Sequence, residues 1–394
     1  MERGEIYRNV GILGATTALN RVVTSILVAT SALIGAHLAG DPAWATLPIA
    51  LQFVAQTAAV FPASMMMKRY GRRAGFVLGC AIGGVGAALC AYGIYVDSFP
   101  YFTVGIVIVG FYNGFAQFYR FAAADSVPED MRGKVISLVL AGGIVAGFVG
   151  PSLAAWSKDL IAPFSFAGSY VVVAIASFLG ILLLAFLRMP RPSLGEWQEK
   201  GRPLRHIAMT PKFAIAVLVG TVSYVVMAFV MSVTPLAMLG CGHVFGDAAF
   251  VIQWHVVAMF APAFITGHLI HRFGATTVIL MGGVMFLACA AIAMSGLHLF
   301  NFWAALVLLG FGWAFMFVGA TTLVTEVHTA PERAKTQALN DLIVFGAVAI
   351  ASFLSAPVLA GFGWTAVILI SVPPVLLAMG ATLFLHFRRP ALAA

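Results

Sequence analysis

Charged residues are scarce in this chain. They form 9% of its 394 residues, and 61% of the residues are hydrophobic, whereas ordinary soluble domains carry roughly 25% charged residues. The core of a water-soluble domain cannot absorb so much apolar surface, so the composition excludes a soluble protein and indicates one that lies in lipid. The net charge of +8 therefore does not indicate a nucleic-acid partner.

Sequence patterns that support catalysis are also missing. The four cysteines show no paired spacing, which argues against a disulfide framework and against a paired-cysteine metal motif. No glycine-rich phosphate loop, no facing pair of carboxylates and no nucleophile–base arrangement is recognisable. We therefore predict a protein that is not an enzyme and that requires no resident cofactor.

The chain instead contains many long apolar runs. Each run is about 20 residues long, the length that a helix needs to cross a bilayer. Because backbone polar groups in hydrocarbon must bond within their own segment, the runs predict an all-α bundle of twelve transmembrane helices. The predicted spans are 10–36, 44–67, 74–96, 101–124, 135–156, 167–187, 212–238, 247–270, 276–297, 302–325, 336–360 and 365–386.

The basic residues lie on one side of these predicted spans. If the N-terminus is cytoplasmic, 19 of the 22 Lys and Arg residues fall in cytoplasmic loops or termini. This asymmetry predicts a multi-pass protein of the bacterial inner membrane with both termini in the cytoplasm. The first ten residues lack a signal-peptide pattern, so we expect the first helix to remain in the mature protein.

Two loops repeat at one spacing, which indicates an internal duplication. Arg69 and Arg272 are 203 residues apart, and so are Pro128 and Pro331. Two independent loops with the same offset predict two similar halves. The predicted domains are a six-helix bundle at 1–187, a polar cytoplasmic linker at 188–211 and a second six-helix bundle at 212–394.

The repeated loops resemble the loop signature of the major facilitator superfamily. This resemblance implies two pseudo-symmetric bundles that rock around a substrate near the middle of the membrane. The acid of the signature is replaced by Lys68 and His271, so the family's usual charge relay between the halves is not expected. The signature is matched at Arg69, Gly71, Arg72 and Arg73 in the first half and at Arg272 and Gly274 in the second.

The predicted helices 7 and 8 carry side chains that bind soft metals. Met227 and Met231 are four residues apart on one helix, and His255 and Met259 are four apart on the next. Residues at this spacing share one helical face. Thioether and imidazole ligands favour monovalent copper, so we predict a two-layered copper path, Met231 with His255 outside and Met227 with Met259 inside. Cys241 is a candidate entry ligand.

This paired pattern resembles the CcoA-type copper importers of the superfamily. The resemblance implies copper import across the bacterial inner membrane for assembly of a haem–copper cytochrome oxidase, with copper as transported substrate. We expect the copper ion and the lipid bilayer as partners, cytoplasmic copper chaperones as candidate further partners, and a monomeric carrier. Relatives of these importers include riboflavin-transporter-like proteins, so the resemblance does not fix the substrate.

Several other functions remain open at this stage. Uptake of a small organic solute such as riboflavin predicts a roomy cavity lined by aromatic side chains and a cation. Drug efflux is supported only by a glycine–proline motif at Gly147, Gly150 and Pro151, and a membrane metalloenzyme or assembly scaffold is a fourth alternative. Candidate cavity or coupling residues are Arg21, Arg120, Tyr224, Phe229, Trp254 and Asp341, because polar groups inside membrane helices are commonly functional.

Overall fold

The computed structural model describes residues 3–127, 131–189, 202–329 and 332–388. Within these ranges the chain is helical apart from short turns and a 3₁₀ helix at Pro42–Trp44. The helices are α1 Arg3–Ala39, α2 Leu47–Tyr70, α3 Arg72–Tyr95, α4 Phe99–Ala116, α5 Tyr119–Asp125, α6 Arg132–Ser157, α7 Ala167–Ala185, α8 Leu204–Ala208, α9 Pro211–Gly240, α10 Phe245–Phe260, α11 Ala263–Phe273, α12 Ala275–Met294, α13 Leu299–Thr325 and α14 Arg333–Arg388.

In the described ranges, nine helices are long and apolar enough to cross a membrane, and a bent pair makes ten. The bent pair is α10 with α11, which meet at 46° where Pro262 offers no backbone N–H to continue the ladder. The all-helical membrane class is thus confirmed, and twelve spans remain a prediction. Two places account for the difference: α14 contains two helical stretches that meet at a kink at Gly363, where φ is 77°, and the described apolar stretch of α6, Gly142–Ser157, is shorter than a bilayer crossing.

The predicted duplication has a counterpart in the backbone at the two repeated loops. Gly71 has φ 89° and ψ 157°, and Gly274 has φ 82° and ψ 154°. Each glycine ends one helix and begins the next, with its N–H bonded to Met67 or Ile270 four residues back. A side chain would strain this conformation, so the glycines of the signature are required by the turn.

Buried apolar residues form two large cores. One is built mainly from residues 10–187 and the other mainly from residues 207–378. Few residues belong to the core of the opposite half, among them Ala29, Phe245 and Ala249. The exact domain bounds remain a prediction.

Helices α6 and α10 pack closely between the halves. A Cβ on Gly143 would lie 2.7 Å from the Phe260 ring, and one on Gly147 would lie 3.1 Å from Val257. Gly150 faces the other way, since its Cβ would lie 2.6 Å from Ser25 of α1. Gly147 and Gly150 of the predicted glycine–proline motif thus lie in two different helix interfaces. Helix packing accounts for both glycines without reference to the direction of transport.

We call the end of the bundle that carries the repeated loops the inner end and the opposite end the outer end. At the outer end the halves meet through Trp44 and Phe353, whose rings are 5.9 Å apart, and through Phe166 and Phe245, at 4.9 Å. The Thr46 hydroxyl also donates to the Phe353 carbonyl at 3.2 Å. These contacts join the two halves at the outer end.

At the inner end, ion pairs join helices of the same half. Arg72 at the start of α3 pairs with Asp125 at the end of α5, and Lys212 at the start of α9 pairs with Glu326 after α13. An acid outside the signature thus binds Arg72. Each of these two pairs joins helices of a single half.

Candidate functional site

The predicted copper ligands lie in the core of the second half. Met227 and Met231 of α9 are 4% and 5% exposed, and Met259 of α10 is half-buried against the same core. His255 of α10 is completely buried. Helix α9 packs mainly on α13 and α14, whereas α10 packs mainly on α6 and α13, so the two ligand helices share α13 as a neighbour but pack little on each other. Convergence of the four side chains on one ion remains a prediction.

One nitrogen of His255 has a partner and the other has none. The Nδ1 atom lies 2.7 Å from the carbonyl oxygen of Leu306 in α13. A carbonyl only accepts, so Nδ1 carries the proton and donates. The Nε2 atom is buried and has no hydrogen-bond partner, so its lone pair is not used by the protein. Such a nitrogen is chemically suited to bind a metal ion or to accept a donor from a solute.

A second constellation forms where helices of both halves meet, and we call Arg21 of α1 and Arg120 of α5 the arginine pair. Arg21 and Arg120 lie within electrostatic range of each other and of Tyr224 in α9. Arg120 is also in range of Asp341 in α14. Three other predicted cavity residues, from α1, α5 and α14, therefore lie within electrostatic range of Tyr224.

Tyr224 belongs to a group of five aromatic side chains in contact with one another, which we call the Trp313 ring group. The Tyr224 ring lies 5.4 Å from Trp313, 5.5 Å from Phe317 and 5.3 Å from Phe345. Trp313 stacks on Phe317 at 5.1 Å and 10°, and Phe260 lies 6.4 Å from Trp313. The group is contributed by α9, α10, α13 and α14.

The arginine pair and the ring group touch. The Arg21 guanidinium lies 5.5 Å from the Phe260 ring centroid, which joins a cation of the first half to an aromatic ring of the second. Tyr224, Trp313 and Phe345 each lie 12 or 13 residues from the inner ends of their helices, about 18–20 Å at 1.5 Å per residue. This places the site close to the middle of an apolar layer about 30 Å thick.

The first half also contributes buried polar side chains, on α1 and α4. The Asn20 amide of α1 donates to the Asn113 side-chain oxygen of α4 at 2.9 Å. Both side chains are buried, and the Asn113 amide nitrogen has no partner. The indole nitrogen of Trp313 is likewise buried and unpartnered. Both groups are donors that a bound solute could satisfy.

Three predicted residues lie elsewhere. Trp254 is predicted to wall the same cavity as Tyr224, but its ring neighbours are Phe148, Phe250 and Trp303, at the outer part of the α6–α10 crossing. Phe229 is 7% exposed within the second core. Cys241 follows α9 at the outer end and is exposed, unlike the three other cysteines.

The loop-signature residues have separate structural roles. Arg72 binds Asp125, and Gly71 and Gly274 form the two turns described above. Arg69 and Arg272 lie over the rings of the residues that follow them, at 5.2 and 5.3 Å, which repeats one arrangement in both halves. The roles that the resemblance implies for Arg73 and for the signature as a whole stay predictions.

Sequence comparison identifies the family of this helical bundle. The model of the Major Facilitator Superfamily matches residues 13–328, most of the chain. The chain belongs to the major facilitator superfamily. It is therefore a membrane transporter rather than an enzyme, as the missing catalytic motifs predict, and its partner is a small transported substrate.

Individual relatives match nearly the whole chain. The riboflavin transporter RfnT of Brucella anthropi is 41% identical over 374 residues, which cover 94% of each protein. Two uncharacterized MFS-type transporters of Bacillus subtilis, YddS and YdeG, are 29% and 28% identical and cover 92% and 87% of this chain, and 87% and 84% of their own lengths. Riboflavin transport, the function of RfnT, agrees with the alternative of organic solute uptake better than with copper import.

The sequence analysis did not single out Trp313, Phe317, Phe345 or Phe260. A signal was available, since Trp313 and Phe317 are four residues apart and share a helical face. Their convergence with Tyr224 depends on packing between helices about 90 residues apart in the chain. Periodicity within a single helix does not reveal such a meeting.

Proposed function

We propose that this protein takes up a planar heteroaromatic solute, such as riboflavin, across the bacterial inner membrane. The observation that carries the proposal is the Trp313 ring group. Its five rings are contributed by four helices of the second half, and one of them contacts Arg21 of the first half. A flat ring system stacks well on such a surface, because offset and edge-to-face ring contacts are favourable. The 41% identity to a riboflavin transporter supports the same substrate class.

The arrangement suits alternating access by a twelve-pass carrier. Trp44–Phe353 and Phe166–Phe245 contacts hold the halves together at the outer end, while the inner ion pairs act within each half. Solute held at the ring group would face the inner end in this state. The excess of Lys and Arg in the inner loops predicts that the inner end lies in the cytoplasm. A solute that leaves the site through this end would therefore be released into the cell, as uptake requires.

A growth assay tests the proposal. A bacterial strain that cannot synthesise riboflavin and lacks its own transporter should grow on low external riboflavin when it expresses this chain. The Trp313→Ala variant should raise the riboflavin concentration needed for growth. Growth that is no better than with an empty vector, at equal membrane expression, would refute the proposal.

Copper import is a second candidate because one observation favours it. His255 Nε2 is buried without a partner, and Met227 and Met231 are buried on the neighbouring α9. Thioethers and a neutral imidazole would hold Cu(I) weakly and let it pass inward. The ion would be bound without a compensating anion.

Cellular copper content separates this candidate from the first. The double substitution Met227→Leu and Met231→Leu keeps apolar volume and removes both sulfurs. If copper is carried, the variant should accumulate less copper, whereas Met281→Leu with Met285→Leu on α12 should not. Equal copper content in all three strains, with riboflavin uptake intact, would exclude copper as the cargo.

A further inference from the structure

The arginine pair carries charge that a neutral flavin does not balance. Riboflavin is uncharged near neutral pH, and its ring can stack on the Trp313 ring group without help from a cation. Two guanidinium groups at a membrane-embedded site are costly. Their presence there is therefore unexplained by stacking alone.

Few counter-charges lie near the pair. In the described part of the chain, neither Arg21 nor Arg120 forms an ion pair or a hydrogen bond, and the Arg120 Nε atom is buried without a partner. Among the described residues, Asp341 is the one carboxylate in electrostatic range of Arg120. Its oxygen accepts a hydrogen bond from the neighbouring Asn340 at 3.0 Å. Arg333 at the start of α14 is a further cation in electrostatic range of Arg120, so the cations outnumber the one acid.

The geometry of the pair leaves donor groups available. Arg21 lies against Phe260 and Arg120 lies 4.8 Å from the ring of Phe121. Contact with a ring face uses the flat side of a guanidinium and leaves its in-plane N–H groups free. Those N–H groups form a fork that matches a carboxylate or a phosphate.

We propose that the site prefers a planar heteroaromatic solute that carries an anionic group. The ring system lies on the Trp313 ring group, and the carboxylate or phosphate lies between Arg21 and Arg120. The anion supplies the missing counter-charge and satisfies the free guanidinium donors. This inference rests on the proposed function and narrows its substrate class from flavins in general to anionic flavins.

Binding to the purified full-length chain tests the inference. Three fluorescent probes differ in charge on the same ring system: riboflavin, riboflavin 5′-phosphate and a flavin with a carboxymethyl side chain. The parent protein should bind at least one anionic probe about tenfold more tightly than riboflavin, since hydrogen bonds to charged groups contribute about 1.5–3 kcal/mol. The two anionic probes distinguish a phosphate from a carboxylate as the preferred group.

For each variant, the quantity compared is the ratio of the affinity for an anionic probe to the affinity for riboflavin. Arg21→Gln and Arg120→Gln should each lower the ratio of anionic to neutral affinity by roughly tenfold. Arg120→Lys keeps the charge but loses the fork, so its ratio should fall between those of the parent and Arg120→Gln. Arg205→Gln removes the same charge from an exposed inner-end residue and should leave the ratio unchanged. Raised salt should also reduce the preference.

The outcomes separate the two proposals. Riboflavin binding and transport without any preference for either anionic probe would overturn the inference and leave the proposed function in place. An unchanged ratio in both arginine variants, in protein that elutes and melts like the parent, would also overturn it. If none of the three flavins binds, both proposals fail.

Discussion

At the scale of single residues, Trp313 is the side chain on which the proposed stacking of the solute depends. It contacts three of the four other members of its ring group, so its loss removes the centre of the stacking surface. Trp313→Phe keeps a ring in place, whereas Trp313→Ala leaves a gap. The indole N–H is lost in both variants.

We expect Trp313→Ala to raise the KM for riboflavin about tenfold or more and Trp313→Phe to raise it less, because stacking on an aromatic side chain contributes about 1–3 kcal/mol. Initial uptake rates over a range of riboflavin concentrations measure this. Trp156→Ala is the matched control, since Trp156 is 66% exposed at the outer part of α6. Equal KM values for Trp313→Ala and Trp156→Ala would contradict the stacking role.

Individual site residues could be predicted from the sequence better than their grouping could. Arg21, Arg120, Tyr224 and Asp341 stand out because they are polar groups in apolar runs. The spacing also predicts that Met227 and Met231 share a face. Neither signal reveals that the first set gathers between the halves, because that depends on how helices far apart in sequence cross.

At the scale of helices, close packing of α10 on α13 positions His255 and Phe260. A Cβ on Gly310 of α13 would lie 2.7 Å from the His255 carbonyl oxygen and 2.9 Å from Ala258. The carbonyl belongs to the helix backbone and cannot move aside without moving α10. Gly310 therefore sets the distance between the two helices.

Gly310→Ala should lower the thermal unfolding midpoint of the purified protein and weaken solute binding, because α10 must move away from α13. Gly346→Ala in α14 is the control, since nothing lies within 4 Å of a Cβ there. It should leave the midpoint unchanged or raise it slightly, as alanine is favoured over glycine in helices by about 1 kcal/mol. Similar midpoints for the two variants would show that the α10–α13 distance is not constrained.

The length of the apolar runs predicts most of the helices but does not reveal the breaks within them. The run 247–270 reads as one span, but the helix bends at Ala261 and Pro262 into α10 and α11. The run 101–124 likewise breaks near Gln117 into α4 and α5. Hydropathy reports burial in lipid and not the continuity of the hydrogen-bond ladder, so these breaks are invisible to it.

At the scale of the whole molecule, Arg202 in the described part of the predicted linker is bonded to the second half. The buried Glu332 carboxylate accepts hydrogen bonds from the Arg202 backbone N–H at 2.7 Å and from Arg202 Nε at 2.8 Å. It also accepts one from the Thr329 N–H at 2.9 Å. The Arg202 guanidinium and the Thr329 N–H hold the pKa of Glu332 well below its ordinary value.

Glu332→Gln should therefore lower the unfolding midpoint in a pH-dependent way. A lowered folded-state pKa contributes stability above the ordinary carboxyl pKa of 4.5, and that contribution is lost as the pH falls toward the folded-state value. The difference between parent and variant should be constant at neutral pH and should shrink below about pH 4.5. A difference that grows on acidification would contradict the ion pair as the cause.

Orientation in the membrane can be checked with the one cysteine that is exposed. Cys241 lies at the outer end of α9, and the described cysteines at 80, 90 and 289 are buried. A membrane-impermeant maleimide added to spheroplasts should label the parent and not Cys241→Ser. Labelling that occurs only after the cells are broken would reverse the orientation that the basic loops predict.

The central claim is that a ring-lined site between the two halves carries a flavin inward. Uptake by purified protein in liposomes tests it most directly, with radiolabelled riboflavin or riboflavin 5′-phosphate in one set of vesicles and Cu(I) in another. The account predicts protein-dependent accumulation of a flavin that excess unlabelled flavin abolishes and that Trp313→Ala reduces. Accumulation of copper without any flavin uptake would contradict it.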